Sequence, residues 1–322
     1  MDFLETLTSE VMNGYSITKE EARKLVDWNL DELTKAADKV REFFCGNRFD
    51  MCTIINAKSG RCSENCKFCA QSSYYDTKIE SYDMLPLEEI VKQAKYNDER
   101  GVLRFSLVTS GKQLKDDYLK EACEAIKKIR KETNVEVCVS MGFLSEEQFQ
   151  RIKEAGATRV HNNLETSKGF FHNVCTTHTF EDKVETLKAA RRAGLEVCSG
   201  GIMGLGESME DRIDLAFSLR ELGVKSVPVN MLNSIQGTPY ENNKKLTVDD
   251  MRRIVAIYRF ILPDASIRLA GGRGLLDDKG ASCFSSGANA AISGDMLTTS
   301  GITIDQDMKI VETLGYNVKK GL

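Results

Sequence analysis

An eight-stranded β/α barrel of the TIM type, preceded by a helical prefix, is the fold this sequence predicts. Three observations carry it. From about residue 49 onward, apolar strand-like runs alternate with amphipathic stretches; the runs number eight; and residues that start helices stand between them. A chain of 322 residues with 41% hydrophobic content can bury one large core. The count of eight favours a closed barrel over an open doubly wound sheet.

In chain order, Thr18 with Glu21 three residues on opens a helix and residues 30–45 read as another, giving a helical extension over 1–48 that packs outside the barrel. The eight strand candidates, filling a barrel domain over 49–300, are 49–56, 102–109, 135–141, 158–164, 195–202, 226–231, 265–270 and the weaker 288–293. Helix starts lie between them at Pro86, read as a first helical position, at Ser145 with Gln148, and at Thr179, Ser208 and Thr247, each followed three residues later by Asp. Residues 301–322 form a C-terminal extension, and no internal repeat, low-complexity tract or linker interrupts the alternation.

A net charge of −4 and a pI near 5.7, with scattered Lys and Arg, provide no electrostatic footprint for nucleic acid or an anionic membrane. The opening MDFLETLTSE lacks the basic-then-apolar pattern of a signal peptide, and no apolar run reaches membrane-spanning length, so a cytoplasmic protein is expected. Ten cysteines in a reducing compartment are core residues, metal ligands or catalysts rather than a disulfide framework.

The strongest chemical signal is Cys62-Ser-Glu-Asn-Cys66-Lys-Phe-Cys69, directly after the first strand, where barrel enzymes carry their active-site loops. Three closely spaced thiolates can hold three irons of a four-iron cluster and leave the fourth open. A structural zinc site is the bland alternative, but it needs a fourth Cys or His, and the next downstream cysteine is Cys123. The triad resembles the signature of radical S-adenosylmethionine (SAM) enzymes. In that family SAM chelates the open iron of a 4Fe–4S cluster and is cleaved to a 5′-deoxyadenosyl radical. A second signal, Gly200-Gly-Ile-Met-Gly204-Leu-Gly-Glu207, would alone be a tight turn. Beside the triad it is similar to the G-x-I-x-G-x-x-E segment that supports the adenine in this group, with Ile202 against the ring.

The blocks INAKSGRCSENCKFCAQSSYY, EVCVSMGFLSE, HNNLETS, CTTHTFEDK, EVCSGGIMGLGES, SVPVNMLNSIQGTP and IRLAGGR, and the segment from Cys283 to Thr299, follow one another as in the biotin synthase family. That resemblance covers residues 50–300. It implies a radical SAM fold and a sulfurtransferase that converts dethiobiotin to biotin, with sulfur from an auxiliary iron–sulfur cluster deep in the barrel. By the same resemblance Asn163 and Glu165 hold the SAM ribose and Lys183 lies near its carboxylate. Asn163 and Asn230 meet the ureido ring of dethiobiotin, and Thr298 and Thr299 receive its carboxylate tail. Phe68, inside the triad, is placed on the cofactor side, with plain packing the alternative, as for Trp28. For either Asn, strand-end capping is an equal reading when the family is set aside. An electron donor such as flavodoxin or ferredoxin and a homodimeric assembly are further implications.

The auxiliary site departs from the familiar branch, which uses cysteines on strands two, three and five and a late arginine. Cys138, Cys198 and Arg268 match, but the strand-two position is Ser106, a poor iron ligand. Cys52 on strand one is the preferred replacement and Cys175 the second, while the matching position of Cys283 is not a ligand in the family. An ordinary buried thiol is the alternative fate of Cys52, as expected for Cys45 and Cys123. The altered set leaves the auxiliary cluster's type open. Arg268 is either a weak ligand or a cation offsetting thiolate and sulfide charge. His161 falls near the substrate, whereas His172 and His178 read as surface or loop residues. Rival readings are another radical SAM enzyme, a mutase or a maturase without sulfur insertion, and a non-catalytic iron–sulfur protein.

Overall fold

The computed structural model describes residues 2–319. Ten strands form one parallel sheet: β1 (Arg48–Lys58), β2 (Arg104–Thr109), β3 (Glu136–Ser140), β4 (Ala157–His161), β5 (Glu196–Cys198), β6 (Gly201–Met203), β7 (Ser226–Met231), β8 (Ser266–Leu269), β9 (Ala290–Ser293) and β10 (Asn317–Val318). Pairing runs from β1 through β5 to β7, β8 and β9, and β9 returns to pair β1, which closes the barrel. Closure removes the exposed edges an open sheet would present.

The run expected as one fifth strand over 195–202 is broken into β5 and β6, because Ser199 and Gly200 leave the ladder between them. The cause is close approach. A Cβ on Gly200 would lie 1.8 Å from the Pro228 carbonyl oxygen, and one on Gly201 would lie 2.4 Å from that of Glu165. Only residues without a side chain let three backbone segments converge there.

Helices cover the outside of the barrel, and several are opened by a side-chain cap. Reciprocal capping boxes form at Thr18/Glu21, Ser145/Gln148, Thr179/Asp182, Ser208/Asp211 and Thr247/Asp250. Pro86 is the cap residue of Leu87–Asp98 rather than its first helical residue, since its ψ of 139° is still extended. A helix over Phe3–Met12, not anticipated from the sequence, precedes the two expected in the prefix; it is capped by Asp2 and buries Leu4, Leu7 and Val11. The helix Leu30–Cys45 packs on Val248–Ile261 outside the barrel. Beyond residue 300, the helix Ile304–Thr313 leads into β10, which adds to the outer end of β1. No described helix is long and apolar enough to cross a membrane.

Candidate active site

Side chains alternate along a strand, so every second residue faces the barrel interior. On β1 these are Cys52 and Ile54; on β2 Arg104, Ser106 and Val108; on β3 Cys138 and Ser140; on β4 Arg159 and His161; on β5 Cys198; and on β8 Arg268. Together they line a cavity of about 340 Å³. The registers place them in layers: Ile54 beside Ser106, Ser106 beside Cys138, Cys138 beside Arg159, and His161 beside Cys198. Cys52, Cys138 and Cys198 therefore reach the same space from β1, β3 and β5, with Ser106 on β2 beside Cys138.

Beneath them lies an ionic floor that the sequence reading missed. Asp50, on the inward face two residues before Cys52, is buried among three buried arginines. Arg104 Nε donates to its carboxylate at 3.2 Å, Arg159 Nη1 lies 4.0 Å away, and Arg268 Nη2 stands 3.1 Å from Oδ1, close but outside hydrogen-bond alignment. Burial pushes the Asp50 carboxyl up, but Arg268, Arg104 and Arg159 outweigh it and hold it at about 2. Arg104 also pairs with Glu136, and Arg159 with Glu196 at 2.6 Å. The Arg268 Nη1 is committed to the backbone oxygens of Asp50 (2.9 Å) and Ala291 (3.0 Å). A period of two carrying charge through otherwise apolar strands, Asp50 with Cys52, Arg104 with Ser106 and Arg159 with His161, was the available signal.

The thiols above this floor differ in state. Burial drives Cys52 upward and Cys138 to about 11. At Cys198 burial also acts upward, yet a hydrogen bond with His161 and the charges of Arg268 and Arg159 bring it down to about 7. The hydroxyl of Ser226 donates to the same sulfur at 3.2 Å.

At the C-terminal mouth, the triad sits on a loop folded by its own backbone. Cys62 N–H donates to Gln71 O (3.0 Å), Ser73 N–H to Cys62 O (2.8 Å) and Cys69 N–H to Cys66 O (2.9 Å). Phe68 and Cys69 reach the cavity. Phe68 also packs on the small apolar cluster of Val174, Leu205 and Leu232 that includes Ile202, so the packing and cofactor-side readings describe one position. Cys175 lies outside the cavity lining, with its sulfur 3.7 Å from that of Cys66. His178 lies on the loop before the helix Phe180–Arg192, within the surface-or-loop expectation, but is buried, with Nδ1 2.6 Å from Glu64 Oε2 and its ring edge-on to Phe143 and Phe171. Lys183 Nζ stands 5.2 Å over the Phe143 ring, and its charge offsets only part of the rise that the Cys175 hydrogen bond and burial impose on the Cys66 thiol.

The remaining expected residues converge on the same cavity: Asn163, Glu165, Ile202, Asn230, Thr298 and Thr299. Asn163 Oδ1 accepts from Gly200 N–H (3.0 Å), while Asn230 donates to Gly201 O (3.0 Å) and accepts from Gly271 N–H (2.9 Å). The capping reading is thus realised in both, and each amide keeps both donor and acceptor capacity beyond these bonds. Glu165 adopts φ 71°, rare for a non-glycine residue, and its Oε2 is buried without a partner. Glu207 holds the glycine-rich turn, accepting from Gly204 N–H (2.9 Å) and Arg212 Nε (2.6 Å).

Residues 57–219 match the model of the Radical SAM superfamily, and residues 228–317 match the Biotin and Thiamin Synthesis associated domain. The chain is 60% identical to the biotin synthase of Brachyspira hyodysenteriae, over 98% of this chain and 95% of that protein. It is 55% identical to biotin synthase 2 of Corynebacterium diphtheriae, over 99% and 97%. The chain belongs to the biotin synthase family. Among solved structures, methylornithine synthase superposes with a TM-score of 0.83 at 22% identity, covering 98% of this chain and 97% of that one, a likeness of fold alone. The first family match ends within the helix Met209–Glu221 and the second begins within β7, yet the sheet is continuous across both, so β7–β9 complete one barrel.

Biotin synthase family membership implies a 4Fe–4S cluster and SAM, and the residues fit both. Cys62, Cys66 and Cys69 share one hydrogen-bonded loop, with Cys69 at the cavity, and the strained, unpartnered Glu165 carboxylate waits beside the cavity for a donor such as a ribose hydroxyl. The auxiliary pocket also fits an anionic guest. Three buried arginines face a single buried carboxylate, with Glu136 half-buried and Glu196 exposed at the rim.

Proposed function

We propose that this member of the biotin synthase family inserts sulfur into dethiobiotin inside the barrel cavity, the sulfur coming from an auxiliary iron–sulfur cluster held by Cys52, Cys138 and Cys198. The observation that carries this reading is the meeting of these three thiols in one buried cavity over three arginines. Cys62, Cys66 and Cys69 hold the 4Fe–4S cluster at the mouth, which with SAM supplies one-electron chemistry able to remove hydrogen from an unactivated C–H bond.

The residues expected at the site divide the tasks in this reading. Glu165 and Asn163 accept from the ribose, Ile202 and Phe68 present apolar surface to the cofactor, and Lys183 offers a cation to its carboxylate. Asn163 and Asn230 give the uncharged ureido ring paired donors and acceptors, and Thr298 and Thr299 meet the substrate carboxylate. The loop bearing both threonines is tied to β1 by Asn56, whose Nδ2 donates to Leu297 O at 2.9 Å. Arg268 acts as the offsetting cation rather than a ligand, because its Nη1 is occupied by two backbone oxygens and its Nη2 faces Asp50. Cys52 takes precedence over Cys175, which stands outside the cavity lining. An electron donor of the flavodoxin or ferredoxin kind, a homodimer and a cytoplasmic setting complete the reading.

The test is anaerobic iron and sulfide quantification with Mössbauer spectroscopy on the wild type and on a chain with Cys62, Cys66 and Cys69 all changed to Ala. Iron retained by the variant is expected. Its complete loss would return the chain to a one-cluster mutase- or maturase-like reading.

A further inference from the structure

Cys175 is one of four cysteines with no task in the reaction, with Cys45, Cys123 and Cys283. Cys175 follows the short helix Phe171–Val174, and the backbone carries it to the radical-cluster loop: Lys67 N–H donates to Val174 O at 3.0 Å. The side chain of Asn65 closes the junction, its Oδ1 accepting from Thr176 N–H (2.9 Å) and Thr177 N–H (3.3 Å). Two segments more than a hundred positions apart are thus held backbone to backbone on either side of a sulfur–sulfur separation of 3.7 Å. The Cys175 sulfur is oriented further by Asn65 Oδ1 (3.3 Å), Thr177 Oγ1 (3.4 Å) and His178 Nδ1 (3.3 Å), and His178 is fixed by Glu64.

We propose that, when the radical cluster is absent, Cys66 and Cys175 form a reversible disulfide that withholds one cluster ligand and shields it from irreversible oxidation. The inference rests on Cys66 being a cluster ligand. The division of labour follows from exposure: Cys66 is partly exposed, whereas Cys175 is 3% exposed. Cys66 attacks a low-molecular-weight disulfide and becomes the mixed disulfide, releasing one small thiol. Cys175 then attacks the Cys66 sulfur, forming the protein disulfide and releasing the second small thiol. Two protein thiols are oxidised and one small disulfide is reduced to two thiols, so electrons and protons balance. A resolving cysteine beside an exposed one is the arrangement that stops oxidation before the sulfinic acid stage. With the cluster in place Cys66 is bound to iron and the exchange cannot begin.

The experiment treats the full-length chain, stripped of iron under anaerobic conditions, with oxidised glutathione and maps tryptic peptides by mass spectrometry. A link between the peptide from Cys62 to Lys67 and the peptide from Gly169 to Lys183 is expected. It should persist in Cys62→Ser, disappear in Cys175→Ser, and be absent from the cluster-loaded chain. The linked chain should fail to take up radical-cluster iron until a thiol reductant is added, and reduction should restore uptake. Oxidation that instead joins Cys62 to Cys66 or Cys69, with Cys175 still open to alkylation after denaturation, would overturn the proposal. A link that forms equally in the cluster-loaded chain would overturn the assignment of Cys66 as a ligand, so the two failures are told apart.

Discussion

Replacing Asp50 by Asn tests the ionic floor directly. The carboxylate is 2% exposed and is held at about 2 against an ordinary 3.8. That depression corresponds to about 2.5 kcal/mol of preferential stabilisation of the charged form. Removing one member of a buried ion pair costs about 3–5 kcal/mol where the other member is left alone. Here Arg104 keeps Glu136, Arg159 keeps Glu196 and Arg268 keeps two backbone oxygens. The expected loss in the cluster-free chain is therefore about 2–4 kcal/mol, measured by urea unfolding at neutral pH. Because the folded carboxyl is depressed, its contribution is fully present above the unfolded value near 4 and is lost as the pH falls toward 2. The gap between wild type and Asp50→Asn should accordingly narrow over that window. Loading the auxiliary cluster adds negative charge above the arginines, so the same substitution should cost less in the loaded chain. Refutation would be a loss below about 1 kcal/mol in the cluster-free chain, with an acid profile matching the wild type.

Other expectations rest on separate parts of the site. Cys66→Ala should abolish cleavage of SAM to methionine and 5′-deoxyadenosine under reducing conditions, assayed by chromatography, because two thiolates cannot complete the triad. Cys52→Ala should lower auxiliary iron while Cys175→Ala leaves it in place, read by Mössbauer spectroscopy after reconstitution; the opposite pattern would transfer the role. Asn230→Ala should raise the KM for dethiobiotin by about 5- to 150-fold, the equivalent of 1–3 kcal/mol for an unpaired polar group, with radical-cluster iron unchanged. Gly200→Ala should destabilise the barrel severely, since its Cβ would strike the Pro228 carbonyl at 1.8 Å and backbone cannot yield there; a melting temperature equal to the wild type would contradict it.

Elements whose signals are local were readable along the chain. The barrel followed from eight apolar runs, and the helix starts from capping boxes whose partners are three residues apart. The cysteine triad was readable for the same reason, as its members share one loop. The break in the fifth strand was hidden because Gly200 meets Pro228, a residue on another strand. The helix Phe3–Met12 went unread because its burial comes from packing on Leu30–Cys45.

By itself, then, the sequence determined the β/α alternation and the position of the triad after β1, properties of neighbouring residues or of period two, while Ser106 in place of a thiol was implied by the family resemblance. Only the tertiary structure decided which distant groups share a space. Closure of β9 onto β1 sets Cys52 in one cavity with Cys138 and Cys198 and gathers Asp50 with Arg104, Arg159 and Arg268. The fold of the mouth carries Cys175 away from that cavity to the side of Cys66. Both outcomes depend on barrel closure and loop packing, and neither leaves a periodic trace in the chain, because the spacing between such partners is set by the intervening helices and loops.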